Sequence, residues 1–132
     1  MPVMNYCLKF VAGLTLALFT LAANAGAFED FCNDRLAELN AKGEPVLVEV
    51  YADWCSTCRR QSPLLSSLLA EEEFSALNGL KLDWDDQQAY ARSLGAARQS
   101  TLILYRDGEQ LDLSIGETNP DRLREFLRQA VN

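Results

Sequence analysis

Residues 46–58 read Val-Leu-Val-Glu-Val-Tyr-Ala-Asp-Trp-Cys-Ser-Thr-Cys. The stretch Val46 to Tyr51 follows Pro45 and is rich in β-branched residues, which predicts a buried strand. Glu49 stands inside it, a charge where the pattern wants an apolar residue. Four residues after the strand come Cys55 and Cys58, spaced Cys-x-x-Cys, with Trp54 directly before them. From Thr57 onward Leu64, Leu65, Leu68 and Leu69 recur at helical spacing, so the pair stands where a strand turns into a helix. A helix N-terminus presents unpaired N–H groups and a partial positive charge. Both stabilise a thiolate, which makes Cys55 the candidate nucleophile. Cys58 is close enough to resolve a mixed disulfide. A structural disulfide is the alternative reading of the same pair.

The rest of the chain extends this unit in both directions. Upstream, Phe28, Phe31, Cys32, Leu36 and Leu39 fall at helical spacing, predicting an amphipathic helix that ends near Lys42-Gly43. Cys32 lies on its apolar stripe and reads as a core residue rather than a second redox site. Downstream, Pro63 should kink the helix that follows Cys58. Glu71 to Leu77 continues or restarts that helix, and Asn78-Gly79 ends it. Leu80 to Asp83 reads as a strand, Gln87 to Leu94 as a helix closed by Gly95, and Thr101 to Tyr105 as a strand. Asp107-Gly108 is a hairpin turn leading to a strand at Leu111 to Ser114. Asn119 caps a last helix with Pro120 at its first position, and Leu123, Phe126, Leu127, Ala130 and Val131 supply its apolar face. The early strands, separated by helices, should be parallel, and the last pair forms a hairpin.

Composition removes several chemistries. The 132 residues suit one domain, with net charge −7 and no histidine. There is therefore no Ser-His-Asp triad, no Cys-His pair and no His-ligated zinc site. Acidic balance argues against a nucleic-acid partner, which would want Lys/Arg clusters. A zinc site of four cysteines would need a second Cys-x-x-Cys, which one chain lacks.

The N-terminus reads as an export signal, with a buried helix or an uncleaved anchor as the alternative. Lys9 precedes an apolar run from Phe10 to Ala23, followed by the small-residue sites Ala23-Asn24-Ala25 and Ala25-Gly26-Ala27. The run is short for a membrane span, which needs about 20 apolar residues. Residues 1–27 are expected to be a cleaved signal peptide and 28–132 the functional domain, located in the periplasm.

The chain resembles the thioredoxin superfamily. The resemblance rests on Glu49, Trp54-Cys55-x-x-Cys58, Pro63, Lys81, Gly95, Thr101, Gly108 and Gly116, and runs from about Val46 to the C-terminus. It implies an α/β thioredoxin fold, a mixed central sheet of about four strands flanked by helices on both faces. The short strand that usually precedes the family's first helix is expected to be absent or vestigial. The implied activity is thiol–disulfide exchange with protein thiols and disulfides as partners, with Cys55 attacking and Cys58 resolving. Glu49 falls where the family keeps a buried acid that handles the proton of the second cysteine, and Lys81 where it keeps a lysine near that acid. Trp54 would shield the site, and the Gln99-Ser100-Thr101 loop would meet the substrate. No cofactor is implied, and the protein would act as a monomer.

One departure stands out. The family carries a cis-proline immediately before the residue matching Thr101; this chain has Ser100, a form shared with a subset of exported bacterial thioredoxin-like proteins. The Gln99–Ser100 bond should therefore be trans, or else visibly strained, because a cis bond before a non-proline residue costs about 3 kcal/mol. The leading expectation is a reductase fed by a membrane electron donor. An oxidant is disfavoured because strong oxidants of the superfamily carry a histidine between the cysteines and a helical insertion. A metal- or cluster-binding module using the same cysteine pair is the alternative of another class, since the family's cis-proline helps keep metals away; a redox-silent binding domain is a further one.

Overall fold

The computed structural model describes residues 28–132. The signal-peptide reading of residues 1–27 lies outside them. The elements, in chain order, are β1 (Phe28–Asp30), α1 (Asn33–Ala41), β2 (Val46–Tyr51), α2 (Ser56–Leu69), a single 3-10 turn at Glu72–Phe74, β3 (Asn78–Asp83), α3 (Trp84–Ser93), β4 (Thr101–Arg106), β5 (Glu109–Ile115) and α4 (Pro120–Val131). The strands form one mixed sheet in the order β1-β3-β2-β4-β5. β2 runs parallel to β3 and antiparallel to β4, so it is the centre of the sheet.

Period-two alternation along β2 divides the core. Val46, Val48 and Val50 pack with Leu36 and Leu39 of α1 and Ala91 of α3. Leu47, between them, packs with Leu65, Leu68 and Leu69 of α2 and Leu123, Phe126 and Leu127 of α4. Two apolar layers thus cover both faces of a sheet whose central strand is buried from Val46 to Val50. Glu49 shares the parity of Leu47 and so points to the α2 face.

Two expectations need correction. The sheet has five strands, because Phe28–Asp30 is an edge strand pairing in parallel with Gly79 to Lys81 of β3. Helical spacing misled here because a step of three residues also places side chains on opposite faces of a strand. Phe28 packs into the α2/α4 layer and Phe31 into the α1/α3 layer, which one helical stripe does not allow. Cys32 accordingly sits half-buried at the N-cap of α1, not on its apolar stripe. The second correction concerns Asn78-Gly79, which belongs to β3 rather than ending a helix. A Cβ on Gly79 would lie 2.7 Å from Phe28 Cδ1 and 2.9 Å from Leu69 Cδ2, so glycine is there for close packing.

The hairpin turn and the cap of the last helix behave as read, whereas the expected kink at Pro63 and the expected start of a helix at Gln87 do not. Asp107 and Gly108 both have positive φ, at 53° and 78°, which a two-residue hairpin turn of the right twist demands. Asn119 accepts from the amides of Asp121 and Arg122, each at 3.0 Å, capping α4. α2 runs unbroken through Pro63. α3 starts at Trp84, three residues before Gln87, and its N-cap Asp83 accepts from the Asp85 amide.

Gly79→Ala is expected to lower stability by about 1 kcal/mol, the low end for overpacking because ring and methyl ends can shift. Chemical denaturation would measure this, and amide exchange should show the loss concentrated at β1, whose Phe28 must move.

Candidate active site

Cys55 is the N-cap residue of α2, with extended backbone, and its Sγ accepts the Cys58 amide at 3.1 Å. The turn that delivers it is closed by the Cys55 amide donating to the Ala52 carbonyl at 3.1 Å. Cys55 and Cys58 form a disulfide across the first turn of the helix. Cys55 is 4 % exposed and Cys58 1 %, so the first sulfur lies nearer the surface. The helix start thus supplies the donor and dipole that a thiolate at Cys55 needs once the bond is reduced.

Glu49 lies beneath this turn, 1 % exposed. Its Oε1 accepts a hydrogen bond from the Ser62 hydroxyl on α2. Its Oε2 has no hydrogen-bond partner among the described residues. Burial pushes the carboxyl above its usual range; the Ser62 bond and the positive charge of Lys81 pull it partly back. Ser62 is four residues after Cys58, so one face of α2 carries both the second sulfur and the partner of the acid. Lys81 is the register partner of Glu49 in β3, and its ammonium sits 3.8 Å from the centre of the Tyr51 ring.

The loop before β4 closes the site from the other side. The Gln99–Ser100 bond is trans, as are all described peptide bonds, and Ser100 has a positive φ of 60°. Gln99 is half-buried. Thr101 is fully buried in β4 and its hydroxyl donates to the Arg98 carbonyl at 2.7 Å, so its side chain does not reach the surface. Trp54 is 58 % exposed. Its Nε1 donates to both carboxylate oxygens of Asp85, at 2.9 and 3.2 Å, which anchors the indole beside the cysteines. Ile115, 53 % exposed, pairs with Thr101 across β4 and β5 and so comes to the same rim.

The geometry therefore gathers Cys55, Cys58, Glu49, Lys81, Trp54 and Ser100 around one turn, and leaves Thr101 in the sheet. Four contributors escaped the sequence reading. Asp85 lies in the first turn of α3, ahead of the Gln87 start that helical spacing predicts. Ser62 and Gln61 are polar residues on the inward side of α2, which was the available signal. Gln61 is fully buried, and its amide nitrogen donates at 2.8 Å to the carbonyl of the fourth, Glu117, tying α2 to the turn after β5. Among the described residues no group of three or more His, Cys, Asp or Glu side chains is placed to hold a metal ion.

The family model described as thioredoxin matches residues 28–129. The chain belongs to the thioredoxin family. It is 37% identical over 94 residues to the thioredoxin of Chlamydia muridarum, an alignment covering 71% of this chain and 89% of that protein. Among solved structures it is similar to Trxlp from Edwardsiella tarda, at 42% identity and a TM-score of 0.74, covering 76% of this chain and 98% of that one. A mutant thioredoxin from Halobacterium salinarum aligns at 26% identity and a TM-score of 0.72, covering 82% and 94%. The protein is thus a thiol–disulfide oxidoreductase, and the family's partners are protein thiols and disulfides.

The raised carboxyl of Glu49 has a signed consequence for stability. Below about pH 4 both folded and unfolded chains carry it mostly protonated, and the charge-dependent part of its burial cost is absent. As pH rises through the raised folded value, the unfolded chain ionises more readily and stability falls. Glu49→Gln is therefore expected to gain stability over the unaltered protein as pH goes from about 4 to neutral. Ser62→Ala should move the other way, losing about 1–3 kcal/mol at neutral pH because it strands the buried carboxylate, and much less near pH 4. Thermal melts of the three proteins across this pH range would check both signs.

Proposed function

We propose that the protein is exported and reduces disulfides in other exported proteins, with Cys55 attacking and Cys58 resolving. The observation that carries the order is Cys55 Sγ at the N-cap of α2, accepting the Cys58 amide, with a buried carboxyl behind the second cysteine. In the dithiol form the Cys55 thiolate attacks one sulfur of the target disulfide. A Cys55–target bond forms, the target S–S bond breaks, and the released target thiolate takes a proton from water. Cys58 then gives its proton to Glu49, and its thiolate attacks the Cys55 sulfur. The Cys55–Cys58 bond forms, the second target sulfur departs, and two electrons have passed to the target. A buried acid with a raised pKa is matched to a proton transfer near neutral pH.

Export is supported by Lys9, the apolar run Phe10 to Ala23 and the two Ala-x-Ala sites. Reduction rather than oxidation is supported by the Ser56-Thr57 pair between the cysteines and by the lack of an inserted helical unit between β3 and β4 other than α3. In this reading the protein is a periplasmic monomer, re-reduced by a membrane protein that supplies electrons from the cytoplasmic side.

Cys58→Ala is expected to accumulate mixed disulfides with target proteins in the host, and Cys55→Ala is not; diagonal reducing gels would show which. Trapping only by Cys55→Ala would reverse the assigned roles. Acid quenching and alkylation of whole cells should find Cys55 and Cys58 predominantly as dithiol in the exported fraction. A predominantly oxidised pair there would point to an oxidant, and a soluble cytoplasmic protein retaining Met1 would end the export reading.

A further inference from the structure

Ser100 brings a hydroxyl against both redox sulfurs at once. Its Oγ lies 3.0 Å from Cys55 Sγ and 3.2 Å from Cys58 Sγ. The residue is 1 % exposed. Its backbone is held on both sides: its amide donates to the Val50 carbonyl at 2.9 Å, and its carbonyl accepts the Gly116 amide at 2.9 Å. Its φ of 60° is an uncommon conformation for serine, kept only where the surroundings impose it. Glycine would adopt that conformation at lower cost. A buried hydroxyl also has to be satisfied, and its partners here are the two sulfurs. Backbone economy therefore does not account for serine at this position, whereas chemistry at sulfur does.

We propose that Ser100 is a catalytic residue, its hydroxyl donating a hydrogen bond to whichever cysteine sulfur carries negative charge, first Cys55 as it attacks and then Cys58 as it resolves. The proposal rests on the attack order given above. A hydroxyl has a single O–H to give, and a position between the two sulfurs lets it turn from one to the other without moving the backbone. The proton stays on Ser100 throughout; the proton of Cys58 goes to Glu49. A proline in this place has no side-chain donor, so the exchange of proline for serine adds an electrostatic contact to the reacting atoms. Hydrogen bonds to an ionised group are roughly twice as strong as neutral ones, so the effect concentrates on the thiolate states rather than on the disulfide.

The test uses Ser100→Gly, which removes the hydroxyl and suits the positive φ, beside Ser100→Ala, which removes it and keeps Cβ. With Cys7, Cys32 and Cys58 replaced by alanine in each protein, ultraviolet titration reads the Cys55 thiolate alone. The midpoint is expected to rise by about one pH unit in both variants, a tenfold change worth about 1.4 kcal/mol. The rate of attack on glutathione disulfide should then cross with pH. Below the midpoint the variants lose about tenfold in thiolate but regain about threefold in intrinsic nucleophilicity, a net fall of about threefold. Well above it they are faster by about threefold. A merely structural role would depress the rate at all pH values without a crossing. Unchanged midpoints and parallel rate profiles in folded variants would overturn the proposal. If instead the midpoint rises but trapping shows Cys58 to be the attacking thiol, the attack order fails while the hydrogen bond stands. In the unaltered reduced protein the Ser100 hydroxyl proton should be visible by NMR as slowly exchanging. Rapid exchange with water there would overturn the proposal even if neither variant folds.

Discussion

The amide of Ser100 donates to the carbonyl of Val50 at 2.9 Å, and the site is assembled around that bond. Val50 is the fifth residue of the central strand, one position past Glu49 and five before Cys55. Pinning the Ser100 loop there fixes the start of β4 against β2 in antiparallel register, with Val50 opposite Thr101. The loop carbonyl then receives Gly116 from the end of β5. Three segments far apart in sequence converge on one turn of helix because two backbone hydrogen bonds hold the loop from both sides. Backbone groups buried this deeply must be paired, so the loop has little freedom to drift from the sulfurs.

The two cysteines occupy different electrostatic surroundings although they are three residues apart. Cys55 faces the N-terminus of α2, whose dipole and amides favour negative charge. Cys58 is a turn inward, on the helix face that also carries Ser62 and, through it, Glu49. In the proposed mechanism one thiol is anionic and the other gives its proton to the acid. The acid is poorly compensated: one carboxylate oxygen has no partner among the described residues, and burial outweighs the help from Ser62 and Lys81. That arrangement works against the stability of the ionised fold, and a carboxyl raised in this way is what the proposed proton transfer draws on. By contrast, the ion pairs of Arg124 with Glu71 and Arg128 with Glu73, which tie α4 to the 3-10 turn, are exposed enough to be screened and contribute little.

The rim around the sulfurs combines exposed apolar surface with fixed polar anchors. Trp54 and Ile115 are the most exposed large apolar residues described. The tryptophan is held by Asp85 rather than by packing. An aromatic ring fastened at its nitrogen keeps its face available to a partner while losing little entropy on contact. Such a rim suits extended polypeptide of varied sequence better than a small ligand that would need an enclosed cavity.

Most of the architecture was legible in the chain because its signals are local. The apolar run Val46 to Tyr51, the Asp107-Gly108 turn and the Asn119-Pro120 cap each act through neighbouring atoms, so spacing alone reveals them. The cysteine pair at a strand-to-helix turn was legible for the same reason. What failed was long-range. Phe28 and Phe31 fit a helix and a strand equally well by spacing, and only the edge of β3, with the gap left by Gly79, decides for a strand. Ser62 meets Glu49, and Trp54 meets Asp85, across 13 and 31 residues of chain, distances over which no periodicity carries information. Ser100 divides between the two. The sequence determined that a non-proline residue stands there and favours a trans bond; only the tertiary structure, by clamping its backbone between Val50 and Gly116, decided that its hydroxyl lies between the two sulfurs.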